Sequence, residues 1–124
     1  MSLEIALDDF TTTKPIGFFM NIRTLSFSKT KLSRIEGLDQ LLHLEQLWMV
    51  ENNITSMDGL SQNTKLKNLN LSNNRISKIE SLDNLTLLEK LWLNENNIRD
   101  IENLTTLANV TEISMASNKI REIG

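Results

Sequence analysis

One pattern of apolar residues and asparagine recurs along most of this chain with a 22-residue period. The copy that begins at Leu69 reads LNLSNNRISKIESLDNLTLLEK. A single repeat of this length cannot bury its own apolar face, so successive copies must stack and cover one another. The period therefore predicts a repeat solenoid before any other property is considered. The apolar residues that open the copies are Leu25, Leu47, Leu69, Leu91 and Ile113.

Each repeat combines a strand, a turn and a short helical return. Leu69-Asn70-Leu71 alternates apolar and polar residues, which is typical of a half-buried strand. Leu82, Leu85 and Leu88 follow at a spacing of three, which favours a 3₁₀ or tight α turn. We predict an α/β fold, a curved right-handed coil with parallel strands on its concave face and short 3₁₀ or α helices on its convex face.

An asparagine column follows the strands at one position of the repeat. An amide side chain can donate and accept hydrogen bonds, so a stacked column can satisfy the backbone groups that each turn leaves unpaired. We interpret the column as structural, because catalytic asparagines do not recur at a fixed period. Its members are Asn52, Asn74, Asn96 and Asn118, and Thr30 takes the place in the first repeat.

Two further polar features have simple structural explanations. Glu36, Asp58, Glu80 and Glu102 form an acidic column, which we expect to lie at helix N-termini and to pair with basic residues of the preceding turn. Asn63 stands where other repeats have Leu41, Leu85 and Leu107. We expect it to cap a locally opened helix or face water; the alternative is a polar notch on the outer face.

These residues resemble the leucine-rich repeat family, in particular the 22-residue subclass typified by the nuclear regulatory subunit of protein phosphatase 1. The pattern LxxLxLxxNxIxxIxxLxxLxxL is carried by residues 66–88 and again by residues 88–110. The resemblance implies a leucine-rich repeat solenoid that recognises a protein partner on its inner face. It also suggests a phosphatase, a motor or a cytoskeletal protein as the partner.

The two ends of the chain depart from the period. Residues 1–24 are predicted to be an N-terminal cap or a degenerate repeat, and residues 25–124 to hold four full repeats and a partial fifth. The partial repeat begins at Ile113 and stops at Gly124, which leaves an open strand edge and apolar residues. We interpret the chain as a fragment of a longer array; the alternative is self-association through this edge.

The candidate binding site consists of polar-face strand residues that stacking does not require. Trp48 and Trp92 flank Asn70, and tryptophan inside a polar rim is typical of an interaction hot spot. The hypothesis is an aromatic and acidic patch for a partner with basic and apolar groups; alternatively, the indoles stiffen the sheet. The other predicted contact residues are Glu45, Glu51, Glu89, Glu95, Val50 and Asn94.

Composition argues against several other functions. The net charge of −3 does not favour nucleic acid or an anionic membrane as a partner, and no apolar run is long enough to span a bilayer. The chain has no cysteine and no phosphate-binding or nucleophile motif, and its one histidine, His43, is expected at the surface. We therefore predict no enzyme activity, no metal and no cofactor.

Two functions remain from the sequence. The first is an intracellular protein-binding module that acts as a regulatory or scaffold subunit. The second is a structural segment of a larger repeat protein with no binding role of its own. The absence of a signal peptide at the N-terminus favours an intracellular location, and the absence of cysteine is compatible with a reducing compartment.

Overall fold

The computed structural model describes residues 21–121 in full and the backbone of residues 2–5. Their strands form one parallel sheet in which sequence order and spatial order agree. Every pair of neighbouring strands is offset by one repeat, so that Leu25 lies opposite Leu47 and Leu69 opposite Leu91. The predicted parallel-strand solenoid is confirmed. Its strands are β1 (Ser2–Ile5), β2 (Thr24–Phe27), β3 (Gln46–Trp48), β4 (Asn68–Asn70), β5 (Lys90–Trp92) and β6 (Glu112–Ser114).

The apolar columns fill the space between the sheet and the opposite side of the coil. Leu47, Leu69 and Leu91 on the strands are fully buried, as are Ile54 and Ile76 after them. Because one residue of each type comes from every repeat, each layer of the core is closed by the layers on either side. The spacing of the leucines thus determines which side of each strand is interior.

The convex side is built from hydrogen-bonded turns where the sequence led us to expect helices. The amide of Leu41 donates to the Leu38 carbonyl at 3.0 Å, and that of Leu44 to the Leu41 carbonyl at 3.2 Å. Equivalent pairs of turns close at Asn63 and Leu66 and at Leu85 and Leu88. These bonds start at every third residue, whereas a 3₁₀ helix needs consecutive ones, so no helix forms among the described residues.

The asparagine column lies inside the turn that leaves each strand. Asn74 Nδ2 donates to the carbonyls of Met49 (2.8 Å) and Leu71 (2.9 Å), and its Oδ1 accepts from the Ile54 amide (3.0 Å). One carboxamide therefore links its own turn to backbone groups of the preceding repeat. Asn52, Asn96 and Asn118 make the equivalent contacts in their own repeats.

Asn63 is buried in the interior, contrary to the expectation that it would face water or open a helix. It is 0% exposed, and its Nδ2 donates to the carbonyls of Leu38 (2.9 Å) and Leu41 (3.2 Å). Its Oδ1 has no hydrogen-bond partner. The prediction was wrong because the flanking turns bury this position whatever residue occupies it, so the amide must find its partners inside. The alternative of a polar notch on the outer face fails for the same reason.

Two columns of left-handed backbone residues complete each repeat. The first, directly before the asparagine position, has φ near 60° at Lys29, Glu51, Asn73, Glu95 and Ser117. The second is at the start of the convex turns, at Gly37 and Gly59 and, with φ near 60°, at Ser81 and Asn103. Such values are unfavourable for residues with a Cβ and favour glycine or asparagine. The apolar period of the sequence points to neither column, because the residues at both positions vary from repeat to repeat.

The last described turns are less well covered than those in the middle of the stack. Ile101 and Ile113 are 44% and 39% exposed, whereas their equivalents Ile79 and Leu91 are fully buried. At the other end, β1 pairs with β2 in the same one-repeat register. The remaining residues of the predicted N-terminal cap up to residue 20, and residues 122–124 of the partial fifth repeat, lie outside the described residues. The proposed domain division therefore stays a prediction.

Candidate functional site

The two tryptophans and the asparagine between them form a straight row across the strands. Trp48 on β3 lies opposite Asn70 on β4, and Asn70 lies opposite Trp92 on β5. All three side chains are half-buried, and each stands between two fully buried apolar residues along the chain. With a strand spacing of about 4.8 Å, the backbones that carry the indoles are about 10 Å apart. We call this row, together with the other predicted contact residues, the concave patch. Those residues are Glu45, Val50, Glu51, Glu89, Asn94 and Glu95.

The floor of the concave patch differs between its two halves. Beside Trp48 the next position is Val50, an apolar residue that is half-buried. Beside Trp92 the equivalent position is Asn94, whose Oδ1 accepts from Ser114 Oγ and from the Ala116 amide, both at 2.8 Å. The two halves thus offer different surroundings to a ligand, apolar at β3 and polar at β5.

Between the two halves, the polar chain continues across β4. Ser72 Oγ accepts from the Asn94 amide at 3.1 Å, and Asn70 Oδ1 accepts from the Ser72 amide at 3.0 Å. Because Asn70 Oδ1 is used in this way, its Nδ2 is the group of this side chain that remains for a partner. The hydrogen bonds also fix the position of the side chain.

The acidic residues of the concave patch fall into two pairs with different neighbours. Glu45 accepts from Arg23 at 2.8 Å, and Glu51 lies 3.9 Å from Lys29. Within the described part of the chain, the carboxylates of Glu89 and Glu95 have no ion-pair partner within 4.0 Å. Two of the four predicted acidic residues are therefore already paired with basic side chains.

Trp92 is held in place by Glu112, a residue outside the predicted site. Its Nε1 donates to Glu112 Oε2 at 2.6 Å, which ties the indole to β6. The sequence gives little indication of this contact, because Glu112 is not the repeat equivalent of Trp92. It reaches the ring diagonally, from a different position of the next repeat. By contrast, the pairs Arg23–Glu45 and Lys29–Glu51 could have been found, since opposite charges one repeat apart lie on neighbouring strands.

The rest of the described surface offers no comparable arrangement for chemistry. Two open hollows of about 470 and 430 Å³ lie beside the turns that leave the strands, and charged and hydroxyl side chains line most of both. His43 is exposed, as predicted. Among residues that the structure describes, no three histidine, aspartate or glutamate side chains come close enough to hold a metal ion. The same residues contain no helix that could cross a membrane.

Comparison with family models gives the chain its place among repeat proteins. The model described as "Leucine Rich repeats (2 copies)" matches residues 42–84 and again residues 64–106. Together the two matches span more than half of the sequence and include the row from Trp48 to Trp92. The chain belongs to the leucine-rich repeat family. The concave patch thus lies on the strand face of a leucine-rich repeat domain.

Solved structures of other leucine-rich repeat proteins superpose well on this one. An internalin (inlF) from Listeria monocytogenes has a TM-score of 0.86 and 23% identity, over 94% of this chain and 34% of the other. Internalin C2 from the same organism has a TM-score of 0.79 and 24% identity, over 100% and 65%. The ectodomain of the receptor kinase SOBIR1 from Arabidopsis thaliana has a TM-score of 0.71 and 24% identity, over 95% and 70%.

These likenesses show the fold and leave the partner open. At identities below 25%, side chains on the strand face are free to differ while the buried columns stay the same. The chain also spans about a third of the first internalin and about two thirds of the second. A search of curated proteins finds no significant match.

Proposed function

We propose that this leucine-rich repeat domain is a non-enzymatic binding module that holds a protein partner against the concave patch. The observation that carries the proposal is the row Trp48–Asn70–Trp92, which places two indoles on the strand face, where the core does not need them. Half-buried tryptophans surrounded by polar side chains contribute more binding energy than most residues of an interface.

The proposed cellular role is a regulatory or scaffold subunit inside the cell. The resemblance to the subclass of the phosphatase regulator supports this role and suggests a phosphatase, a motor or a cytoskeletal protein as the partner. The absence of cysteine is compatible with an intracellular location. Antibody labelling of the chain on intact cells of its source would overturn the location and leave the binding proposal untouched.

The binding proposal is tested by capturing partners with purified wild-type protein and with the Trp48→Ala/Trp92→Ala variant. We expect the variant to lose specific partners while its circular dichroism spectrum stays unchanged. A matched control is Leu42→Ala/Leu87→Ala, which removes two exposed apolar side chains (53% and 44%) from the convex turns. The control should capture the same partners as the wild type.

Equal capture by all three proteins would contradict the proposal. The domain would then be better described as a structural segment of a larger repeat protein. Loss of partners in the convex control alone would place the binding surface on the turns.

A further inference from the structure

The charges around the two tryptophans are not balanced in the same way. Near Trp48, the carboxylates of Glu45 and Glu51 face Arg23 and Lys29, so that this half of the concave patch carries no net charge. Near Trp92, three carboxylates (Glu89, Glu95 and Glu112) are accompanied by two ammonium groups on neighbouring positions, Lys67 and Lys90. The β5 half is therefore negative, and none of these three acids forms an ion pair within 4.0 Å among the described residues.

The hydrogen bond from Trp92 to Glu112 changes what the indole can bind. A carboxylate that accepts from the ring N–H polarises the ring and adds electron density to its face. Ring faces of this kind attract ammonium and guanidinium groups. The bond of 2.6 Å also uses up the Nε1 donor of Trp92, which leaves the ring face as the part of the indole that is available for contact.

Trp48 has the opposite surroundings. No hydrogen bond to its Nε1 is found within the described residues, and its neighbour toward the end of the strand is Val50 rather than Asn94. With its acids neutralised, this half presents an apolar surface and one free N–H donor. A cationic side chain gains less there, because Arg23 and Lys29 compete for the same carboxylates.

We infer that the two halves of the concave patch bind different side chains of one partner protein. A lysine or arginine of the partner stacks on Trp92 between Glu89 and Glu95. An apolar side chain of the same partner packs on Trp48 and Val50. The inference rests on the proposed function and adds the chemistry of the partner. The two partner side chains must be about 10 Å apart, the distance between β3 and β5. In a polyproline II segment, side chains three residues apart lie on the same face and about 9 Å apart, which matches this separation.

The charge difference is tested with single-tryptophan variants, since Trp48 and Trp92 are the two tryptophans of the chain. Trp48→Phe reports on Trp92 alone, and Trp92→Phe reports on Trp48 alone. Fluorescence quenching by caesium and by iodide then measures how each indole attracts a cation or an anion. We expect the ratio of caesium to iodide quenching constants to be at least about twofold higher for Trp92 than for Trp48.

Removal of the unpaired acids should abolish this difference. In the Trp48→Phe background, Glu89→Gln/Glu95→Gln is expected to lower the quenching ratio at Trp92 to the value found at Trp48. The matched control, Glu45→Gln/Glu51→Gln, removes the same formal charge. It should leave Trp92 nearly unchanged, because its carboxylates lie two strands away, about one Debye length at ordinary salt.

Binding of a cation is tested with a capped hexa-arginine peptide as the probe, followed by Trp92 fluorescence at about 0.1 M salt, where charges two strands away are largely screened. Glu89→Gln/Glu95→Gln should weaken this binding by about fivefold, as expected for two exposed charge pairs, and the control pair by less than about twofold. Capped hexa-glutamate should not bind. Equal quenching ratios at the two indoles, or equal loss of hexa-arginine binding in both pairs of variants, would overturn the inference.

Different results would contradict the proposed binding function and the assignment of a cation to Trp92. If Trp48→Ala/Trp92→Ala loses its partners but the two indoles show equal quenching ratios, the binding function stands and the assignment of the cation to Trp92 is wrong. If the charge difference is present and the double alanine variant captures every partner, the proposed function is wrong and the docking inference falls with it.

Discussion

At the scale of single residues, two buried asparagines differ in how completely their side-chain amides are hydrogen-bonded. Asn74 is satisfied at both ends of its amide, by Met49 and Leu71 on one side and Ile54 on the other. Asn63 is equally buried but has an Oδ1 without a partner. Its Nδ2 binds carbonyls that already accept from turn amides, so that these bonds add little. The same residue type therefore stabilises the fold at one position and weakens it at the other.

Asn63→Leu is expected to raise the free energy of unfolding by about 1 kcal/mol, because it removes a buried, unpaired acceptor and restores the leucine of the other repeats. Asn74→Leu serves as the control and should lower it by about 3 kcal/mol or more, since several backbone groups lose their partner. Urea denaturation followed by circular dichroism measures both. If Asn63→Leu is as destabilising as Asn74→Leu, the Oδ1 of Asn63 has a partner in solution.

At the scale of elements, the turns decide which substitutions a repeat tolerates. Gly59 begins a convex turn with φ +115°, and a Cβ built there would overlap the carbonyl oxygen of Ile35. Ser81, at the equivalent position of the next repeat, has φ 62° and accommodates its own Cβ. The sequence shows glycine at position 59 and serine at position 81. It does not show that the Gly59 turn lies close against the Ile35 carbonyl.

Gly59→Ala should lower the free energy of unfolding by at least about 3 kcal/mol, because both its φ and the contact with Ile35 exclude a Cβ. The matched variant is Ser81→Ala, for which we expect a change within about 0.5 kcal/mol. Thermal and urea unfolding of the two variants provide the test. Equal stability of the two proteins would mean that the Gly59 turn relaxes without loss of packing.

At the scale of the whole molecule, stability is a sum over neighbouring repeats, because each repeat contacts the one before and the one after it. The layers differ in how completely they are covered. Ile79 and Leu91 are fully buried in the middle of the stack, whereas Ile101 and Ile113 keep 44% and 39% of their surface exposed. Each exposed residue reduces the apolar area that holds the β6 repeat on the β5 repeat.

This difference predicts that the β6 repeat opens before the β4 and β5 repeats. The Leu93 amide donates to the Ser114 carbonyl of that repeat, and the Leu71 amide to the Trp92 carbonyl one layer earlier. In native-state hydrogen exchange, Leu93 should exchange at least about tenfold faster than Leu71, once intrinsic rates are corrected for. Equal protection of the two amides would mean that the chain unfolds as a single cooperative unit.

The sequence by itself determined the solenoid, the strand register and the buried leucines, since a 22-residue period leaves one arrangement in which every apolar face is covered. It also placed Trp48, Asn70 and Trp92 in one row, because equivalent positions of stacked repeats must align. The register, the buried leucines and this row all follow from the position of each residue within the repeat, without any interatomic distance.

The tertiary structure decided whatever depends on contacts between different positions of neighbouring repeats. These contacts include the diagonal bond from Trp92 to Glu112 and the bond from the inward-pointing Asn63 to the Leu38 carbonyl. It also replaced the expected convex helices by pairs of turns. The physical reason is the same throughout: a period determines which positions align, but side-chain reach and backbone closeness determine which atoms meet.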